Sequence, residues 1–515
     1  VSDLASARSA DDIVRAAYDS MPYPSSSPHY THPDRLATIA FLNGIDPPPP
    51  ERCRVLELGC ADGGNLIPMA LEMPESKFTG VDLSPVQIES GRALAAQLGI
   101  DNLELQTRSI LDVDASLGVF DYVICHGVFS WVTSEVQEKI LEVCSKMLAP
   151  DGVAYVSYNT LPGWHLRQMV RDMVRFHTRG VDDPTERMAK AYDIVRFLAE
   201  TSSGDDDARS IFLRSAREDF EEYRERPSYL LHEYLEETNT PLYFRDFAAR
   251  LSQHSLQYLG ESDAYLTEVD NLPAGVAQKL REFSHDRIEL EQYLDFVLNR
   301  TFRRTLLCHA GRPLDRSMQP ERMRRLFASA QVTVVDGQHG TFRTAAGKTF
   351  STSHELTNAA LSAMAKLWPR AVSFDELHAE SGGDGDVLCD ILHSLFWSGV
   401  VELHVLPPRC TNAIAAKPRV SDLARRQAAP GILITNQRRR VIKLDDAVAR
   451  VLIQHLDGTR DRASLVRLLD AEVAAGRLDI SVDGRIPDPQ RIPSVLQALV
   501  DHHLKKMIEY ALLVE

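Results

Sequence analysis

Residues 53–65 read CRVLELGCADGGN, and the reading of the fold starts from them. An apolar run ending at Glu57 meets a turn in which Gly59 lets the backbone bend tightly, while Gly63 and Gly64 leave room for a ligand against the start of a helix. A dinucleotide loop would read GxGxxG and a phosphate-binding loop GxxxxGK[ST]. Neither spacing is present, so the turn is poorly suited to pyrophosphate.

Outward from that turn, short apolar strands at 53–59, 77–82, 103–107, 120–125 and 152–158 alternate with helical periods at 63–73, 85–98 and 134–148. This is the pattern of a parallel sheet covered on both faces. Asp82 closes the second strand, where a carboxylate accepts the two hydroxyls of a ribose. RSILD (108–112) follows the third, offering Ile110 as an apolar surface for a purine and Asp112 as an acceptor for its exocyclic amine. Asp121 stands at the start of the fourth strand and Cys125-His126-Gly127 at its carboxyl end, the edge where open α/β sheets bind ligands.

The later chain divides by composition. Residues 165–239 read as a helical cap or insertion, and 240–310 as a region with two helices and two strands, the strands returning to the first sheet. A separate unit is expected from about 350, within a segment 311–410, as three helices and a strand in winged-helix-like order, with Ser373 and Glu376 at capping-box spacing. Residues 411–515 form a last α+β block. Its pattern is similar to small peptide-binding modules that recruit a polypeptide by strand addition.

At 515 residues the chain exceeds one hydrophobic core, which argues for two to four domains. No apolar run could span a bilayer and the first residues lack a secretory core, so no membrane partner and a cytoplasmic location are expected. Seven scattered cysteines suit a reducing compartment, and no paired Cys/His spacing suggests a metal. A net charge of -16 argues against broad capture of nucleic acid, and the run QRRR (437–440) is explained as well by a turn between strands.

In this order, ELGCADGGN, VDLS and SILD resemble the class I S-adenosylmethionine-dependent methyltransferases. YDSMPYPSSSPHYTHPDRLATIA, HGVFSWV, YNTLPGW, HEYLEETNTPLYF and EQYLDFVLNRTFRRTLLCHAG narrow the resemblance to bacterial methyltransferases that carry a methyltransferase regulatory domain. That group includes rickettsial lysine methyltransferases acting on outer-membrane proteins. The resemblance covers residues 10–178 and 220–310 and is looser beyond. It implies an α/β fold with a Rossmann-like class I methyltransferase sheet in 1–164, a helical insertion, and winged-helix-like α+β C-terminal domains. It implies S-adenosyl-L-methionine as cofactor, contacted by Glu57, Gly59, Cys60, Asp62, Asn65, Asp82, Leu83, Ser109, Ile110 and His126, with Cys60 and Asp62 open as packing or cap residues. Tyr18 and Tyr23 would close over it as a lid, or merely anchor a loop.

Methyl transfer from a sulfonium is an in-line displacement, so the protein mainly positions an electron pair and excludes water. The position after strand four reads CHGVF instead of the Asn/Asp-Pro-Pro-aromatic turn that holds a planar amide or base nitrogen, which disfavours such acceptors. The resemblance implies a lysine amine, and its protonation, with a pKa of about 10.4, is part of the barrier. An apolar pocket would lower it. His126 is the candidate acceptor or base, or a structural residue with equal weight, with Trp131, Tyr158 and Trp164 lining the pocket beside it or packing in the core. The expected substrate is a protein or peptide. Alternatives are a small-molecule O- or N-methyltransferase and a non-catalytic cofactor-binding scaffold; a homodimer is compatible with all three.

Overall fold

The computed structural model describes residues 19, 26–201, 207–224, 226–317, 319–429, 431–480 and 489–514. Tyr18 and Tyr23, read as a lid, lie outside them. Helix α1 (Pro33–Leu42) precedes an alternation of β1 (Arg54–Leu58), α2 (Leu66–Glu72), β2 (Lys77–Asp82), α3 (Pro85–Gln97), β3 (Leu103–Thr107), β4 (Phe120–Cys125), α4 (Ser134–Met147) and β5 (Leu148–Asn159). Four helices follow, α5 (Trp164–His177), α6 (Pro184–Glu200), α7 (Ala208–Glu222) and α8 (Pro227–Leu235), packed on a core of their own that includes Val174, Met188, Val195 and Phe220.

The chain then returns through α9 (Phe244–Gln253), β6 (Leu256–Glu261), α10 (Ala274–Phe283), α11 (Arg287–Leu298) and β7 (Phe302–His309). These strands complete a seven-stranded sheet of order β3-β2-β1-β4-β5-β7-β6. The first five strands are parallel, with Val55 opposite both Phe78 and Tyr122, and β7 runs antiparallel to β5 and β6. Strand order reverses between β1 and β4, which opens a crevice at their carboxyl ends. Alternation along each strand sends Val55, Tyr122, Ile124 and Tyr155 into one core and Leu56, Val123, Val156 and Tyr158 into the other.

Two expected boundaries move. The helix expected from 63 begins at Leu66, because Gly59, Ala61 and Gly63 all take positive φ and keep 59–65 in a turn. The strand expected at 152–158 extends over 148–159, because Leu148 already pairs with Phe120.

Short strands β8 (Phe327–Ser329), β9 (Val332–Val334), β10 (Thr341–Thr344), β11 (Thr349–Ser351), β12 (Val372–Ser373) and β13 (Glu402–His404) frame helices α12 (Glu355–Leu367), α13 (Phe374–Ser381) and α14 (Gly385–Trp397). The Ser373 hydroxyl caps the Glu376 N–H at 3.2 Å, as the sequence spacing predicts. This middle region does not stand apart: one continuous apolar cluster runs from Val55 and Tyr155 through Leu36 and Ile39 of α1 to Met323, Leu361 and Leu403. The C-terminal block has its own core. It comprises β14 (Arg419–Val420), α15 (Asp422–Gln427), β15 (Leu433–Thr435), β16 (Val441–Lys443), α16 (Ala447–His455), α17 (Arg462–Ala474), α18 (Ile492–Glu509) and β17 (Leu513–Val514).

No described helix is long and apolar enough to cross a membrane. All seven cysteines are buried and free.

Candidate functional site

The glycine turn is folded back on β2. The Gly59 and Cys60 N–H groups both donate to the Val81 carbonyl, at 2.9 and 3.1 Å. Gly59 has φ of +74°, and a Cβ there would stand 2.4 Å from Val128 Cγ2, so a side chain is excluded by conformation and by space. Cys60 is buried and packs against Gly80, and burial pushes its thiol well above the usual range. Asp62 Oδ1 accepts the Gly64 N–H at 3.0 Å. Both side chains are thus taken up in shaping the turn.

Two carboxyl groups converge on it. Asp82 Oδ2 accepts the Ala61 N–H at 2.8 Å and Oδ1 accepts the Ser84 N–H at 2.9 Å. Burial still lifts its pKa, although the backbone donors Ser84, Ala61 and Leu83 oppose the rise. A carboxylate has about four lone-pair sites, so capacity remains for a further donor. Asp19, in the N-terminal segment, lies 2.5 Å from the Ser84 hydroxyl.

Glu57 is buried, with Oε1 accepting the Asn65 side-chain amide at 2.8 Å and Oε2 without a hydrogen-bond partner among the described residues. Burial pushes its pKa up to about 8, opposed by the Asn65 bond and reinforced by Asp82 and Asp62. A buried carboxyl oxygen without a donor is costly unless a ligand supplies one. Asn65 in turn lies 3.0 Å from the Thr31 hydroxyl, which ties the turn to the segment before α1. At the end of β3 the Ser109 hydroxyl caps Leu111 N–H at 3.3 Å, and half-buried Ile110 packs on the adjoining core.

Across the crevice, His126 follows β4. Its Nδ1 lies 3.0 Å from Ser157 Oγ and 3.1 Å from Tyr155 Oη, and its Nε2 lies 3.5 Å from Tyr30 Oη. Ser157 also accepts the Gly127 N–H at 2.9 Å, which fixes the turn after the strand. Burial, with the Arg304 guanidinium adding to it, lowers the imidazole pKa to about 3. The ring is neutral at physiological pH, against the near-neutral titration expected of a free histidine.

The expected pocket aromatics do not gather around it. The rings that meet His126 are Tyr30, Tyr155 and Phe302. Tyr158 lies in the opposite core, 4.2 Å from the Phe247 ring centroid, because it is three residues from Tyr155 and the strand period is two. Trp131 and Trp164 pair edge-on with each other, with Arg171 over Trp131 and Arg167 over Trp164. Alternation from His126 through the paired strand would have found Tyr155 and Ser157. Nothing local marks Tyr30, Phe302 or Arg304, whose guanidinium lies 3.9 Å from the Tyr30 ring centroid.

The groups present fit a nucleoside bearing an amino acid: a partly used carboxylate at Asp82, an acceptor at Glu57 and an apolar surface at Ile110. Family models match three segments: a methyltransferase domain over 50–193, a predicted methyltransferase regulatory domain over 226–309, and the PKMT C-terminal winged helix domain over 416–512. The winged-helix match falls on the last block, within the C-terminal domains expected to be winged-helix-like. An uncharacterized Rickettsia prowazekii protein is 31% identical over 96% of this chain and 93% of its own length; a second is 40% identical over 48% of this chain and 97% of its own. The solved structure of PKMT2 from Rickettsia typhi is 31% identical, with a TM-score of 0.86 over 96% of this chain and 100% of that one. Its complex with AdoHcy superposes with a TM-score of 0.87.

Proposed function

We propose a substrate from one premise: this chain belongs to the PKMT family of S-adenosylmethionine-dependent methyltransferases, in which a methyltransferase domain is followed by a regulatory and a winged-helix domain. The enzyme methylates lysine amines of a protein, with S-adenosylmethionine as the methyl donor. The observation that carries the cofactor reading is the buried Glu57 Oε2, which needs a donor in a turn too short of glycines for phosphate. Asp82 would accept the ribose hydroxyls, Glu57 the amino-acid end, and Ile110 would underlie the adenine. The bound cofactor supplies an electrophilic methyl; the protein's part is to aim an amine at it and keep water out.

His126 works as a neutral ring in this scheme. Tyr155 and Ser157 fix its orientation through Nδ1, leaving Nε2 beside Tyr30. A lysine ammonium arriving there would meet aromatic faces that desolvate it and the like charge of Arg304, and both lower its pKa. With its own pKa at about 3, His126 contributes no titration near pH 7 to the rate profile. His126→Ala should lower kcat and leave cofactor affinity nearly intact; equal loss of both would assign the residue to the cofactor pocket.

Transfer from methyl-labelled S-adenosylmethionine to lysine-rich proteins, set against a small-molecule extract, tests the substrate class. Label on lysine side chains is expected. Label found only in small molecules would overturn the protein acceptor.

A further inference from the structure

The helix that follows the glycine turn is held at its far end by a side chain of the C-terminal domain. Between β15 and β16 the chain makes a tight turn, Asn436–Arg440, in which Asn436 Oδ1 accepts the N–H groups of Arg438 and Arg440 at 3.0 and 2.9 Å. Arg439, with φ of +60°, is 5% exposed. Its Nε and Nη2 donate to the two oxygens of Glu72 at 2.7 and 2.5 Å.

Glu72 is the last residue of α2, and α2 begins directly after Asn65. His32 Nε2 lies 3.6 Å from Glu72 Oε2 at the end of this helix, and Thr31 Oγ1 lies 3.0 Å from Asn65 Oδ1 at its beginning. Thr31 therefore holds the beginning of a helix about 10 Å long, while at its end the His32 ring, kept neutral by burial, lies beside Glu72 without a hydrogen bond and leaves Arg439 as the donor there. The Thr31-His32 dipeptide is itself anchored: the His32 ring accepts the Asp34 N–H, and Asp34 holds His404 Nδ1 at 2.7 Å and the Leu406 N–H at 2.8 Å. Arg439 Nη1 lies 3.8 Å from the same Asp34 carboxylate. A slip of α2 toward its carboxyl end would pull Asn65 from Glu57, the donorless carboxyl of the turn.

We infer that Arg439 of the C-terminal domain is a positioning residue for the cofactor turn, acting through Glu72 and helix α2 on Asn65 and Glu57. This rests on the reading of that turn as the cofactor site. The C-terminal domain then contributes to cofactor binding without touching the cofactor. Removing its arginine loosens the turn while leaving every cofactor contact in place.

The test is titration of the full-length chain with S-adenosylhomocysteine, together with the cofactor KM and kcat. Arg439→Ala and Glu72→Gln should each raise the dissociation constant several-fold, and the double variant no further than the weaker-binding single, since both cut one contact on the same path. Arg439→Lys, which keeps the charge but not the two-pronged contact, should fall between wild type and Arg439→Ala. The cofactor KM should rise with kcat at saturating cofactor preserved, a split that mere loss of folded protein does not produce. Glu72→Gln weakens the same contact with little change of shape and serves if Arg439→Ala does not fold. Unchanged affinity in folded Arg439→Ala or Glu72→Gln, or additive losses in the double variant, overturns the inference. Absence of binding by the wild type overturns the cofactor reading instead.

Discussion

Two turns at strand ends, Glu57–Asn65 and Asn436–Arg440, use buried charge in opposite ways. In the arginine turn each of the three guanidiniums meets a carboxylate of another part of the chain: Arg438 and Arg440 share Glu402, and Arg439 takes Glu72. In the glycine turn, Glu57 and Asp82 sit together with backbone and amide donors and, among the described residues, no cation beside them. The first turn finds its countercharges within the protein and joins its domains; the second, in the function proposed above, would be completed by a ligand. The same buried carboxyl chemistry thus reads as structure or as site according to whether its partner is covalently present.

The pKa directions express this difference. Burial would raise Glu402, but Arg438 and Arg440 overcome it and hold the carboxyl well below the usual range. Glu57 has only an amide donor against burial and stays high, at about 8.

The comparison can be broken by substitution, and the largest effect belongs to the arginine turn. Arg438→Ala takes the donor from Ser329, removes a buried side chain and leaves Glu402 with Arg440 alone, and should cost about 3 kcal/mol of stability by urea unfolding. A loss under about 1 kcal/mol would remove the turn from the domain junction. Asp82→Ala comes next. Loss of charge-assisted bonds worth about 1.5–3 kcal/mol should weaken cofactor binding tenfold or more by calorimetry, and unchanged affinity would show that Asp82 is only a brace for the turn.

A pH titration sharpens the contrast. Because Glu57 is raised to about 8 in the free protein and a cofactor ammonium would lower it, binding releases a proton below that pH. Cofactor affinity should rise several-fold from about pH 6 to about pH 8 and level off above, and Glu57→Gln should flatten that rise. Stability runs the opposite way at the two turns. The contribution of protonated Glu57 is fully present below its unfolded value and lost as pH rises through about 8. That of Glu402 is present above its unfolded value and lost on acidification through its depressed folded value. The smallest effect is expected of Arg440→Ala, whose half-exposed ion pair should change stability by no more than about 1 kcal/mol.

Much of the catalytic sheet was legible because its signals are local. Each strand is a short apolar run, Gly59 answers a positive φ, and Asp82 and Ile110 sit at fixed distances from strand ends. Ser84 and Ser373, one residue ahead of their helices, are local signals of the same kind. The acceptor side was harder to read. Trp131, Tyr158 and Trp164 were attractive as aromatics near His126 in sequence, but strand alternation sends Tyr158 into the opposite core, and the two tryptophans spend their faces on each other and on arginines. Tyr30, Phe302 and Arg304, which do surround His126, come from distant segments.

The sulfonium cofactor came from the resemblance of the motifs to a methyltransferase family; the sequence alone determined that a strand ends at a glycine turn, that acids follow at the carboxyl ends of the next strands, and that the turn lacks the spacing of a phosphate loop. Those are consequences of backbone geometry and of the periods of strand and helix, which act over a few residues. Only the tertiary structure decided which buried charges are matched. Glu72 and Arg439 are 367 positions apart, and Asp34 and His404 are 370 apart. A carboxyl group's charge depends on the neighbours that burial brings to it, and no short stretch of sequence contains them.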